Sequence, residues 1–146
     1  MNRSRSYMKS NKDFTKIIWF ITREHRLRDN WTFFECQKIA KEKGVPIIGV
    51  VNLEIFKTPR HWEFAIGGLK KLSDELNPLG ISLHCALSFQ EIISLCKNSA
   101  VITDFFPLKC YKDWNVRLKK TASLLIEVDS HNIVPCWIAS DHKEHA

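Results

Sequence analysis

From Lys16 to Asp129 the chain alternates short apolar runs with longer segments of helical period. The runs 16–21 (KIIWFI), 46–51 (PIIGVV), 81–86 (ISLHCA), 100–104 (AVITD) and 124–129 (LLIEVD) have the length and β-branched content of strands. Most lack polar alternation, the pattern of strands buried on both faces. Between them, residues 31–43 place Trp31, Phe34 and Ile39 on one helical face, and 60–76, 89–97 and 109–121 read as three further helices. Asp29 or Asn30 can accept an orphan N–H at the start of the first helix, and Gly44 can end it. Asn77, Pro78 and Gly80 break the second. Five strands joined by four helices make βαβαβαβαβ, which right-handed crossovers turn into a parallel sheet covered on both faces. The expected fold class is α/β, a Rossmann-like doubly wound five-stranded parallel sheet in the order 3-2-1-4-5.

The flanks follow other rules. Arg3, Arg5, Lys9 and Lys12 contribute four positive charges before the first acid, which leaves the rest of the chain at +2 of the net +6. Residues 1–15 are therefore expected to be a flexible basic leader, and 16–130 the domain proper. Residues 130–140 (SHNIVPCWIAS) are apolar without helical or alternating order, and Asp141 with Glu144 forms a capping-box-like helix start. Residues 131–146 are read as the start of a linker toward a further domain. Trp137 and residues 133–135 are then expected to form an apolar surface in its absence.

With 45% hydrophobic residues, 146 positions suffice for one core. No apolar run approaches the about 18 residues needed to cross a bilayer, and no secretory signal is present. Five cysteines, none closer than eleven positions, suggest no disulfide framework, CxxC pair or zinc knuckle. The expectation is a soluble, monomeric protein in a reducing, intracellular compartment with no membrane contact, its address within the cell left open.

Most α/β chemistries are absent by motif. No glycine lies in the turn after the first strand, which excludes the GxGxxG dinucleotide turn and the GxxxxGK[ST] phosphate loop, and there is no GxSxG or HExxH. His142 and His145 are read as part of a polar terminus rather than metal ligands, and Cys110 as a small buried residue rather than a reactive thiol. What remains is geometric. In an open parallel sheet, ligands bind beyond the carboxyl ends of the strands where the order reverses, here between strands one and four. Residues 22–30 (TREHRLRDN) then face 104–107 (DFFP). Three arginines and a histidine opposite an acid and two phenylalanines can hold a planar polar ring. Equally, Arg23 and Asp104 can simply pair while Phe105 and Phe106 complete the core.

The loop WFITREHRLRDNW resembles the opening of the photolyase and cryptochrome family, and closely its class II cyclobutane pyrimidine dimer photolyases. Further segments agree in order: Arg60-His61 with Phe64 and Gly68-Leu69, Val101 to Phe105 with Pro107-Leu108, VDSHNIVP at 128–135, and WIASD at 137–141. The similarity covers nearly all of Lys16 to Ala146. Gly67 beside Gly68 and a short loop at 56–59 depart from the family pattern. The resemblance implies an N-terminal antenna domain holding a light-harvesting chromophore, commonly a deazaflavin. A helical C-terminal domain, absent here, would carry FAD and split pyrimidine dimers in DNA. No catalytic residue of that chemistry falls in this chain, which alone is expected to be inactive. Switch-point geometry and resemblance select the same cofactor-binding candidates, Thr22, Arg23, Asp104 and Phe105. Alternatives are a non-catalytic binding or regulatory module of the same fold, and direct nucleic-acid binding through Lys109, Lys112, Arg117, Lys119 and Lys120.

Overall fold

A computed structural model describes residues 2–7 and 13–139. Six strands form one sheet: β1 (Ser4–Ser6), β2 (Lys16–Ile21), β3 (Ile47–Asn52), β4 (Ser82–Ala86), β5 (Ser99–Asp104) and β6 (Leu124–Val128). The order is β1-β6-β5-β2-β3-β4. Strands β2 to β6 are mutually parallel, so the five expected strands stand in the expected order. The helices are α1 (Trp31–Lys43), α2 (Pro59–Leu76), α3 (Phe89–Leu95), α4 (Lys109–Lys119) and a single turn, α5 (Cys136–Ala139).

Local chemistry accounts for the boundaries. Asn30, in extended backbone, accepts the Phe33 N–H at 2.9 Å, which starts α1, and Gly44 at φ 65° ends it. Thr58 caps α2, and Pro59 occupies its first turn, where a missing N–H costs nothing. Alternate residues of β2 enter opposite cores, which is why that strand shows no polar alternation. Ile17, Trp19 and Ile21 pack with Phe33, Cys36, Leu69 and Leu72 of α1 and α2. Ile18 and Phe20 pack with Phe89, Ile92 and Leu118 of α3 and α4. The Trp19 and Phe33 rings meet at 4.8 Å, and Phe89 stacks on Trp114 at 5.2 Å.

Two expectations about the flanks are corrected. Residues 4–6, placed by composition in a flexible leader, form a sixth strand antiparallel to β6, with Arg5 opposite Glu127. Glu127 is 3% exposed, and a buried carboxylate needs donors. Arg5 supplies two, Nε at 3.0 Å and Nη2 at 2.8 Å, and the Tyr7 hydroxyl and the Asn115 amide supply the rest. Burial and the neighbouring Glu127 push the Tyr7 phenol well up, so it stays a donor. At the other flank the expected apolar surface is narrower than predicted. Ile133, Val134 and Ile138 are 89%, 42% and 48% exposed, whereas Pro135 is buried and Trp137 half-buried, its ring edge-on to Phe105 at 5.7 Å. Lys9, Lys12, Asp141, His142, Glu144 and His145 lie outside the described residues. Among those described, no helix is long and apolar enough to cross a membrane, and no cluster of His, Cys, Asp or Glu is placed to hold a metal ion.

Arg5→Ala removes the charged partner of Glu127 and is expected to destabilise the fold by about 1.5–3 kcal/mol. The loss is read as a lower urea midpoint at constant slope; an unchanged midpoint would mean that the docked arm adds nothing to stability.

Candidate functional site

Strands β2 and β5 are neighbours although helices and two other strands separate them in sequence, so the order of the sheet reverses between them. Asp104, the last residue of β5, lies at that point and is 2% exposed. One of its oxygens accepts the Thr22 hydroxyl at 3.1 Å and the Arg23 backbone N–H at 3.4 Å. The other accepts the hydroxyl of Thr32, in the first turn of α1. Having donated its proton, Thr32 is left to accept from Ser130 Oγ at 2.8 Å. The ends of β2, β5 and β6 and the start of α1 therefore meet at one carboxylate.

Arg23 itself points outward. Its Nε donates to His131 Nε2 at 3.0 Å, and its guanidinium lies 4.3 Å from the Phe106 ring centroid, close enough for a cation–π contact. Because Nε2 accepts, the neutral imidazole carries its proton on Nδ1, which faces Glu24 Oε1 at 3.0 Å. Glu24, buried beneath the loop, also meets Arg26 at 2.7 Å. Phe105 donates its N–H to Val128 at 2.8 Å, and its half-buried ring has the Arg5 guanidinium 5.1 Å from its centroid. Burial holds His25 below the ordinary imidazole range against the pull of Asp104 and Glu24. With Phe56, Phe64 and Gly68, it lines a cavity of about 120 Å³. A second cavity of about 290 Å³ lies against Leu27, Asn30, Trp31 and Phe34.

The four candidates from the sequence thus converge, but in two roles. Thr22 and Asp104 are buried and consume each other's hydrogen-bonding capacity; Arg23 and Phe105 reach the rim. Arg23 and Asp104 do not pair through their side chains, since only the Arg23 backbone touches the carboxylate. Sequence reasoning assigned no role to Thr32, Ser130 or His131. The usable signal was the number of donors that a buried aspartate demands. Behind the rim, the turn after β6 is held by Asp129. Its carboxylate accepts the His131 and Asn132 backbone N–H groups, the Asn132 amide and the Cys136 N–H. Burial pushes its pKa up, but these donors outweigh burial and hold it below the ordinary aspartate range.

The basic helix is partly spent internally. The Arg117 guanidinium lies over Phe89 at 4.6 Å and the Lys119 ammonium over Tyr7 at 3.5 Å. Cys110, expected to be buried, is exposed in the first turn of α4.

Fold and rim define a doubly wound α/β domain whose strand-end loops carry arginine, histidine and aromatic groups in place of a glycine-rich phosphate turn. Residues 16–146 match the family described as DNA photolyase, and the chain belongs to that family. It is 30% identical over 143 residues to a deoxyribodipyrimidine photo-lyase of Potorous tridactylus, which covers 88% of this chain and 26% of that protein. With the Arabidopsis thaliana deoxyribodipyrimidine photo-lyase it shares 28% identity over 142 residues, 89% of this chain and 28% of the relative. The corresponding protein of Oryza sativa subsp. japonica is 22% identical over 147 residues, 89% of this chain and 29% of that one. The chain spans between a quarter and a third of the length of these relatives.

Two outcomes follow from this geometry. Asp104→Ala strands three donors and is expected to cost about 3 kcal/mol or more, measured by chemical denaturation; a variant as stable as the parent would show that the carboxylate has no organising role. Asp129 has a folded pKa below its unfolded one. The stability it contributes is therefore present above the ordinary aspartate range and lost as pH falls through the depressed value. The urea midpoint should decline more steeply between about pH 5 and 2 in the parent than in Asp129→Asn, and parallel declines would remove Asp129 from the acid transition.

Proposed function

We propose that this chain is the N-terminal, antenna-chromophore domain of a class II deoxyribodipyrimidine photolyase, whose intact form repairs cyclobutane pyrimidine dimers in DNA by a light-dependent reaction. The observation that carries this reading is the family match over 16–146, together with relatives that are all deoxyribodipyrimidine photo-lyases. The antenna site is the rim between 22–30 and 104–107. A deazaflavin-type group, when bound, absorbs light and passes on excitation energy. Arg23 would donate guanidinium N–H groups to a carbonyl or anionic edge of that group, and Phe105 would supply an apolar wall. Thr22 and Asp104 would act beneath the ligand, holding the loop that presents Arg23. The exposed guanidinium, fixed by His131 and backed by Phe106, supports that assignment. The burial of Thr22 and Asp104 and the hydrogen bond between them support a role beneath the ligand rather than against it.

FAD, dimer recognition and dimer splitting belong, in this reading, to a helical domain beyond residue 146, and the present chain alone is inactive. The exposed Ile133, Val134 and Ile138 fit a surface that such a domain covers. DNA is then a partner of the intact enzyme rather than of this chain. The chain itself is a monomer of a reducing compartment.

Titration with a deazaflavin tests the site. Arg23→Ala should weaken binding by about 1.5–3 kcal/mol, the loss of a charge-assisted hydrogen bond, with circular dichroism unchanged. Unaltered affinity would move the ligand away from Arg23. No binding by the parent chain would overturn the antenna role.

A further inference from the structure

Arg3 stands just before β1 and reaches across to the turn that follows β6. Its backbone carbonyl accepts the Asp129 N–H at 2.9 Å. Its guanidinium spans three carbonyls: Nη1 donates to Asp129 O at 3.2 Å and Asn132 O at 2.7 Å, and Nη2 to Ile133 O at 2.8 Å. The guanidinium carbon lies over the Trp31 ring, 4.9 Å from its centroid. Carbonyl dipoles converging on one point repel one another unless a cation sits among them, and a planar guanidinium presents two nitrogens in a fixed fork where a lysine ammonium has only one.

His131 lies inside the span that Arg3 clamps. Its backbone N–H is held by Asp129 Oδ1 at 3.3 Å, while its imidazole bridges Glu24 and Arg23. The carboxylate of Asp129 secures the inner half of the turn, and Arg3 secures the outer half, where the Asn132 and Ile133 carbonyls would otherwise face water. Displacing that outer half moves the ring that accepts from Arg23.

We propose that Arg3 is a positioning residue for Arg23, acting through the 129–133 turn and the His131 imidazole. The N-terminal arm is thereby part of the candidate site, although most of that site lies far from it in sequence. The relevance to binding rests on the reading that Arg23 faces the bound group; the coupling itself does not. Arg5 and Glu127 keep β1 paired when Arg3 is changed, so the arm need not detach for the effect to occur.

The test uses the full chain and Arg3→Ala, with Arg3→Lys as a second variant that keeps the positive charge. Nitrogen-15 NMR of the neutral imidazole should show the Nδ1–H tautomer of His131 in the parent and its loss in Arg3→Ala. Amide exchange at 130–133 should rise about tenfold or more, while exchange in the core strands stays as in the parent. Arg3→Lys should recover only part of both signals, since a single ammonium nitrogen cannot occupy the positions of Nη1 and Nη2 together. Faster exchange at 130–133 with the His131 tautomer unchanged would overturn the coupling. So would a uniform rise across the core strands, which marks a merely global loss of stability, or full recovery by lysine, which would make the fork irrelevant. Deazaflavin titration of the same variant separates the two readings. Tautomer loss with weakened binding supports both, whereas tautomer loss with unchanged binding keeps the coupling and removes Arg23 from the antenna site.

Discussion

Asp104 carries a carboxylate that is almost wholly shielded from water at the C-terminal end of β5, and such a group persists only where donors surround it. Thr22 and the Arg23 backbone come from the segment after β2, Thr32 from the first turn of α1, and Ser130 joins through Thr32 from beyond β6. Three strand ends and a helix start are fixed relative to one another by that one demand. The loop 22–30, long enough to wander, instead leaves the sheet at a defined angle. Asn30 then closes it by donating to the Glu24 and Arg26 carbonyls while it caps α1. The outward direction of the Arg23 side chain is a consequence of where its backbone is held.

The same rule recurs at the edge of the sheet. Glu127 is buried on the outermost parallel strand, where a fully apolar residue would have left the edge open to pairing with other chains. Its need for donors draws in Arg5 and Tyr7 and converts the edge into a covered one. Arg5 is also spread over the Phe105 and Trp137 rings at 5.1 and 4.8 Å, so the arm seals the junction between the sheet edge and the α5 turn. Buried acids thus act here as attachment points for segments that have no core of their own. Each contributes specificity of arrangement as well as energy.

In this photolyase-family domain the strand-end loops differ in kind from a glycine-rich turn. A phosphate loop relies on backbone N–H groups and bare glycine; here the strand-end loops carry side chains, with arginine and imidazole facing out and aromatics behind. Such a rim suits a planar group with a polar edge better than a phosphate. The exposed apolar residues Ile133, Val134 and Ile138 lie in the segment just after His131, beside the rim.

The parallel five-stranded sheet, its order and the helix boundaries at Asn30 and Gly44 were legible because each rests on local chemistry: apolar runs too continuous for a half-exposed strand, and caps that satisfy orphan backbone groups. The point where the strand order reverses was legible too, since it follows from connectivity. What the sequence left open was the division of labour among its residues. Arg23 beside Asp104 reads as an ion pair until the donors from Thr32 and the backbone are counted, and those come from elements 72 and 81 residues away along the chain. The N-terminal arm was misread for the same reason. Serines and arginines have no intrinsic drive to form a strand, and only the buried Glu127, more than a hundred positions later, gives Arg5 a place to dock. Composition reports what a segment can bury by itself; whether a polar segment is ordered depends on unsatisfied groups elsewhere, and those exist only once the tertiary structure has closed around them.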